Sequence, residues 1–295
     1  MFKKMKQLIA TAMINLPGAR YYFYKYYVFR KPLNEKALRG KIQYLGHCID
    51  LGFSNSCSIT KARIYELRYH LKVFFRNKYQ IDNSVLWAIK LFLCYQYRIK
   101  PAENPPHTSL DSDSIRKFEN IIKDRRSIRK WLPGEVPDSD ITKVIEWATW
   151  APSSCNRQPW QIVIFKKEAD KQEIAKYFPN KFYTAAPVLL LVLIERTLYG
   201  DTEKPFIYLD AAAFIQNLLL GFHVLGYGAC WIGFNAWNAL NDSDLHLPQP
   251  ERFYKDFRVD KKMVPVSLIA AGRPAAVPNA PARQNPQNIR IDFNK

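Results

Sequence analysis

The chain has no C-x-x-C pair, and its five cysteines (Cys48, Cys57, Cys94, Cys155 and Cys230) are odd in number and widely spaced. That pattern predicts reduced thiols in a cytosolic protein and no zinc site. No secretory leader is expected. Lys3, Lys4 and Lys6 precede a short apolar run, Leu8 to Leu16, but Asn15 interrupts it and no small-residue cleavage site follows. The segment instead predicts an amphipathic helix ending at Pro17-Gly18. Also missing is an uninterrupted apolar stretch. The longest, Phe206 to Gly226, contains Asp210, Gln216, Asn217 and His223, which favours a buried core helix over a membrane span. Gly226-Tyr227-Gly228 lacks the third glycine of a dinucleotide fingerprint and follows a helix pattern rather than a strand.

Acidic residues are scarce at one end. Residues 1–110 hold 19 Lys and Arg against five Asp and Glu, a net +14 of the chain's +18; the remaining 185 residues carry only +4. A basic region of this kind attracts acidic phospholipid, nucleic acid or an acidic polymer, and it equally suits a solvated face that keeps the protein in solution. No nucleic-acid module accompanies the charge, so nucleic acid is the weakest of these partners. An anionic membrane surface reached through the N-terminal region remains. The expected location is the cytoplasm, with a peripheral position at the inner face of the membrane as the variant. A length of 295 residues can bury a sizeable core, and 48% hydrophobic with 14% aromatic content excludes a largely disordered chain.

Three regions follow. Residues 1–100 read as a basic, mainly helical extension. Ile64, Leu67, Leu71, Phe74 and Phe75 share one helical face, and Val85 to Tyr97 is a second apolar helix. The run Tyr21 to Phe29, with Lys25 inside it and Arg30-Lys31 after it, suits a membrane interface and equally suits packing onto the second domain or a partner copy. Residues 101–113, with Pro105-Pro106, read as a linker. Residues 114–295 alternate helix and strand. Ser114 is placed to cap one helix and Asp138 or Ser139 the next. Strands are expected at Gln161–Phe165, Val188–Ile194 and Val264–Ala270. Periodicity alone supports a mixed α/β class.

The chemistry concentrates in two clusters. Arg125-Arg126-Ser127-Ile128-Arg129 packs three guanidinium groups and a hydroxyl into five residues, and an arginine fork donates paired, charge-assisted hydrogen bonds that suit a phosphate. Pro152-Ser153-Ser154-Cys155-Asn156-Arg157-Gln158-Pro159-Trp160 offers small donors and acceptors for a polar ring edge and a polyol. Together they suggest a bound nucleotide cofactor. With Gly226–Gly233 and Gly272-Arg273-Pro274 followed by Arg283, these clusters resemble, in order and spacing, the nitroreductase family of FMN enzymes over residues 115–290.

The resemblance implies an α+β, three-layer nitroreductase-like fold with a central mixed sheet. It implies FMN held by Arg125, Arg126, Ser127, Arg129, Pro152, Ser153, Ser154, Asn156, Gln158, Asn180, Trp231, Ile232, Gly233, Arg273 and Arg283. Arg125 and Ser127 are expected at the phosphate and ribityl chain, and Arg129 at the pyrimidine edge, where reduction places negative charge. Arg273 and Arg283 are expected to complete the phosphate clamp. Pro152 to Gln158 is expected to come from the second subunit of a homodimer whose sites lie at the interface. Cys155 is expected to serve through its backbone, and Trp160 to pack in the core behind the loop. The implied activity is hydride transfer from NADH or NADPH, bound transiently, to a small organic acceptor: a nitro group, a quinone or an activated alkene. No side-chain nucleophile is required. The segment His47 to Ser54 is similar to part of the extensions of some family members tied to bacterial surface-glycan synthesis. The alternative is a flavin-binding interaction module, anchored through the basic extension, without NAD(P)H reductase activity.

Overall fold

The computed structural model describes residues 33–54, 61–102, 108–178, 181–233 and 250–292. The expectations for residues 1–31, for Cys57 and for Asn180 lie outside these. Three helices form the first unit: α1 (Glu35–Ser54), α2 (Lys61–Arg76) and α3 (Asn83–Tyr97). Asn34 Oδ1 accepts the Ala37 N–H at 2.7 Å and so caps α1. The Asp82 carboxylate accepts from the Ser84 and Val85 N–H groups, each at 3.0 Å, and caps α3; Arg98, at φ 56°, ends that helix in the left-handed conformation. Apolar residues at helical spacing, Leu38, Ile42, Leu45 and Ile49 of α1, meet Leu67, Leu71 and Phe74 of α2 and Val85, Ala88 and Leu91 of α3 in one core. Phe75, expected on the buried face, is 49% exposed: it lies next to buried Phe74, at 100° around the helix.

The second unit runs α4 (Ser112–Asp124), α5 (Asp138–Ala148), β1 (Trp160–Phe165), α6 (Glu168–Ile174), β2 (Val188–Glu195), α7 (Phe206–Val224), β3 (Gly228–Gly233), α8 (Pro250–Asp256) and β4 (Met263–Gly272). The sheet order is β1-β2-β4-β3. All eight residues of β2 are buried, and its period of two divides them between two cores. Val188, Leu190, Val192 and Ile194 pack with residues of α5 and α7. Leu189, Leu191 and Leu193 pack with Ile174 of α6 and Phe253 of α8. The result is three layers, helices on both faces of a sheet, as the resemblance implied.

Local readings differ in four places. Among the described residues the three ladders are antiparallel, and parallel pairing enters only as the bridge between Ser127 and Ala229. Asp111 caps α4 instead of Ser114: its carboxylate accepts both the Ser114 N–H at 2.9 Å and the Ser114 hydroxyl at 2.7 Å. α5 starts behind Pro137 with no side-chain cap; Asp138 falls inside its first turn, where its charge still favours the helix dipole. β3 and α8 are additional elements. β3 hides in a glycine-rich, six-residue segment whose strand character comes from its pairing with β4.

Candidate functional site at the open edge of the sheet

The segment joining α4 to α5 crosses the rim of the sheet. Ile128 N–H donates to Ala229 O at 3.1 Å, and the Trp131 indole N–H donates to Gly228 O at 2.9 Å. Leu132 N–H donates to Arg273 O at 2.9 Å, and Ala275 N–H to Lys130 O at 3.0 Å. Three motifs distant in sequence are thereby laced together: Arg125–Arg129, Gly226–Gly233 and Gly272-Arg273-Pro274. Two glycines permit the close approach. A methyl group at Gly228 would stand 2.3 Å from Ile128 Cγ1, and one at Gly272 would stand 2.4 Å from Pro187 Cδ. Gly226, at φ +78°, supplies the left-handed turn out of α7.

Charge is concentrated there without compensation. Arg125 is half-buried, and burial, Arg126 and Arg283 all work against its charged form. Arg283, in an exposed tail, is thus near enough to Arg125 to act on its charge. Among the described residues no carboxylate forms an ion pair with Arg125, Arg126, Arg129, Arg273 or Arg283. Arg273 instead lies over the Tyr227 ring, 5.4 Å from its centroid, while the Tyr227 hydroxyl donates to Asp140 at 2.6 Å. Burial pushes the Cys230 thiol up, against the pull of Arg129 and Arg125, so it is a protonated neighbour of the cluster. β3 turns Trp231 (41% exposed) and Gly233 toward solvent and keeps Ile232 buried. A group of guanidinium ions, with Arg125 and Arg126 half-buried and Arg125 repelled by Arg126 and Arg283, next to an exposed strand surface, fits an anionic ligand carrying a phosphate and a flat ring.

The Pro152–Gln158 loop is built separately. Cys155, Asn156 and Gln158 take φ of 52°, 53° and 46°, a conformation costly for residues other than glycine. The Ser153 hydroxyl accepts the Gln158 N–H, and the Gln158 side-chain amide donates to Asn156 Oδ1, each at 3.0 Å. The Ser154 N–H donates to both oxygens of Asp210, at 2.9 and 3.1 Å, and the Tyr199 hydroxyl donates to the same carboxylate at 2.6 Å. Burial raises the Asp210 pKa, and burial together with Asp210 raises that of Tyr199. Pro152 is exposed at the mouth of the loop, and Trp160 is buried behind it, stacked on Phe214 at 4.8 Å. Arg157 is buried: it bonds Glu203 at 2.8 Å and lies between the rings of Tyr44 and Tyr199.

Asp210 and Tyr199 were not singled out as site residues in the sequence. The available signal was a lone aspartate inside an otherwise apolar helix. That helix also measures the separation. Asp210 holds the loop near the start of α7, while His223, whose charged form is disfavoured first by burial and also by Arg125 and Arg126, against the pull of Asp124, stands 13 residues on. At 1.5 Å per residue the two places are roughly 20 Å apart. One chain brings together Arg125, Arg126, Ser127, Arg129, Trp231, Ile232, Gly233, Arg273 and Arg283. It does not bring Pro152, Ser153, Ser154, Asn156 or Gln158 to them.

Comparison with known proteins agrees with this architecture. The family model described as Nitroreductase family matches residues 122–182 and 171–273. A protein of Methanothermobacter thermautotrophicus, provisionally named NADH dehydrogenase/NAD(P)H nitroreductase, is 30% identical over 172 residues, covering 58% of this chain and 84% of the relative. A Bacteroides thetaiotaomicron structure with the same provisional name superposes at a TM-score of 0.51 with 23% identity, covering 61% of this chain and 98% of the other. A nitroreductase-like protein of Streptococcus mutans gives 0.51 with 18% identity, covering 61% and 100%. The chain belongs to the nitroreductase family.

Proposed function

We propose that the protein is an FMN-dependent oxidoreductase that takes hydride from NADH or NADPH and passes electrons to a small organic acceptor: a nitroarene, a quinone or an activated alkene. The observation that carries this reading is the uncompensated cluster of Arg125, Arg126 and Arg283 beside the exposed surface of β3. Arg125, Arg283 and Ser127 would hold the phosphate and ribityl chain, with Arg126 and Arg273 adding charge. Arg129 would place a fixed cation at the pyrimidine edge. Trp231, Ile232 and Gly233 would border the ring, and Asn180 would serve its polar edge. Bound FMN supplies the redox-active ring, so the side chains position and polarise, and none is needed as a nucleophile.

The two half-sites require a second copy of the chain. The loop and the arginines expected to hold one FMN between them are roughly 20 Å apart along α7. A homodimer placing one chain's Pro152–Gln158 loop on the partner's arginines completes both sites. Exposed apolar side chains suit that contact: Ile115, Phe118 and Ile122 on α4, which buries nothing within its own chain, and Leu209 on α7. We take residues 114–295 as the FMN domain, joined through 101–113 to the basic extension, and place the protein in the cytoplasm. α7 is the one described helix long and apolar enough to cross a membrane, and half of it is buried in the protein. The deciding experiment is to reconstitute the protein with FMN and add NADH, then NADPH, without oxygen. Rapid bleaching of the flavin spectrum supports the reductase; bound flavin that neither donor reduces overturns it.

One observation favours a second role for the extension, docking to an anionic membrane surface. A groove of about 450 Å³ between α2 and α3 is lined by Lys61, Arg68 and Arg98 together with Ile64, Tyr65 and Phe92, and by no carboxylate. Cations beside exposed Tyr65 and half-buried Phe92 suit the headgroup region of an acidic bilayer. Salt-sensitive binding to phosphatidylglycerol vesicles that is lost in Arg68→Glu/Arg98→Glu supports it. Equal binding by both proteins sinks it.

A further inference from the structure

We propose that α1 of the N-terminal extension is a working part of the cofactor site, and that Lys36 is the positioning residue through which it acts. The proposal rests on the assignment of the Pro152–Gln158 loop to FMN binding. It gives a role to a unit that the family model, which begins at residue 122, does not cover.

The loop is held from two sides. The catalytic domain supplies Asp210, which fixes the Ser154 N–H. The extension supplies Lys36, whose ammonium donates to Gln158 O at 3.0 Å. Gln158 is the last of three loop residues with left-handed backbone, at φ 46°, and its side chain carries Asn156 with it. A conformation of that kind persists only where its surroundings over-determine it. Lys36 grips the peptide at which the strained stretch ends.

The neighbouring contacts of α1 make the grip specific. Gly40, one turn on, lets the helix lie against the loop: a methyl group there would stand 3.0 Å from Arg157 O and 2.4 Å from Leu198 Cδ1. Tyr44, a further turn on, lies under the Arg157 guanidinium, 5.0 Å from its centre. Asn34 reaches the body at the other end, donating to Asp260 at 3.0 Å and Glu195 at 3.4 Å. Residues 36, 40 and 44 repeat at i, i+4 and i+8, which places them on one helical face. That face meets the loop at Arg157 and Gln158, and the same helix packs along Ser154–Asn156.

The lysine is also an expensive choice. Burial and the neighbouring Arg39 disfavour its charged form, with Glu195 and Asp82 only partly compensating. An apolar residue would fill the same space without that cost, and without the donor that holds Gln158 O.

The test uses the full chain and two readouts: FMN affinity by quenching of flavin fluorescence, and hydrogen exchange of the loop amides in the protein without FMN. Lys36→Met is expected to weaken FMN binding roughly tenfold or more, the loss that follows from one charge-assisted hydrogen bond. It is also expected to speed exchange at Ser154 to Gln158 while α2 and α3 stay protected. Lys36→Arg, which keeps the donor, restores most of both. Gly40→Ala presses α1 off Arg157 without changing any charge, shifts both readouts in the same direction, and serves if the methionine variant does not fold. Wild-type affinity and loop protection in Lys36→Met and Gly40→Ala overturn the proposal. If the wild-type protein binds no FMN, the cofactor reading fails; unchanged loop exchange in the variants then also overturns the positioning role.

Discussion

Gly228→Ala isolates the packing of the arginine segment on the sheet. The added Cβ would meet three atoms of Ile128 at 2.3, 2.7 and 2.9 Å. Ile128 is buried and β-branched, with its backbone bonded to Ala229, so it has little freedom to turn away. Overpacking of a well-filled site costs about 1–3 kcal/mol. Against this, alanine gains about 0.4–1 kcal/mol by restricting the unfolded chain, because Gly228, unlike Gly226, does not have a positive φ. The clash wins, leaving a net loss of about 1–2 kcal/mol, which lowers Tm by roughly 2–6 °C in a protein of this size. The substitution also pushes the Arg125–Arg129 segment outward, so FMN affinity should fall with stability. Urea denaturation without FMN and a fluorescence titration with it measure the two effects. A Gly228→Ala protein as stable as wild type would show that Ile128 moves at no cost, and the account of how the sheet edge fixes the arginines would be wrong.

Gly233→Ala is the counterpart. Nothing lies within 4 Å of its added methyl group, so stability without FMN should stay within about 0.5 kcal/mol while FMN binding weakens; unchanged affinity would remove Gly233 from the site. Arg125→Ala relieves repulsion from Arg126 and Arg283 and should cost no stability in the free protein, yet reduce FMN affinity roughly tenfold or more and flatten its salt dependence. A free protein clearly destabilised by this change would mean that Arg125 has a structural partner. Asp210→Asn weakens the acceptor shared by Ser154 and Tyr199 and should cost roughly 1–3 kcal/mol in denaturant unfolding, with faster loop exchange; an equally stable variant refutes that role. Lys36, lowered from 10.5 to about 8, predicts a pH effect: between those values the unfolded chain holds a proton that the folded chain has released. Stability should therefore rise across pH 8 to 10.5, by roughly 2–3 kcal/mol in all. Lys36→Met should flatten the rise; an identical pH profile in the variant would refute it.

The residues proposed to bind through charge are the most legible in the sequence, because three arginines in five residues stand out at any distance from their partners. The buried strands β2 and β4 and the partly exposed β1 were legible from β-branched and leucine-rich runs, and α7 from its apolar length. β3 was not legible, since Gly228-Ala229-Cys230-Trp231-Ile232-Gly233 becomes a strand only when β4 pairs with it. Nor was the lacing of Trp131 to Gly228 and Leu132 to Arg273, because bonds across about 97 to 141 residues leave no local pattern. The grip of Lys36 on Gln158 was hidden for a further reason. In a stretch with 19 cations, one lysine carries no distinguishing mark, and only its contact across 122 residues separates it from the solvated ones.

The cost of these arrangements falls in different places, and that distribution separates function from folding. Buried leucines in β2 and α7 stabilise the body and would be kept for that alone. The arginine cluster, the left-handed residues Cys155, Asn156 and Gln158, and the half-buried Lys36 ammonium all oppose the free, single chain. The first two lie at opposite ends of α7, and the third grips the second from another unit. An anionic ligand bound between two chains would relieve the first directly, by pairing the guanidinium groups, and would use the other two as a preformed surface that need not be ordered on binding. Such a chain is expected to gain stability from FMN and from its partner copy together. A rise in Tm on adding FMN that grows with protein concentration is the measurement that shows it.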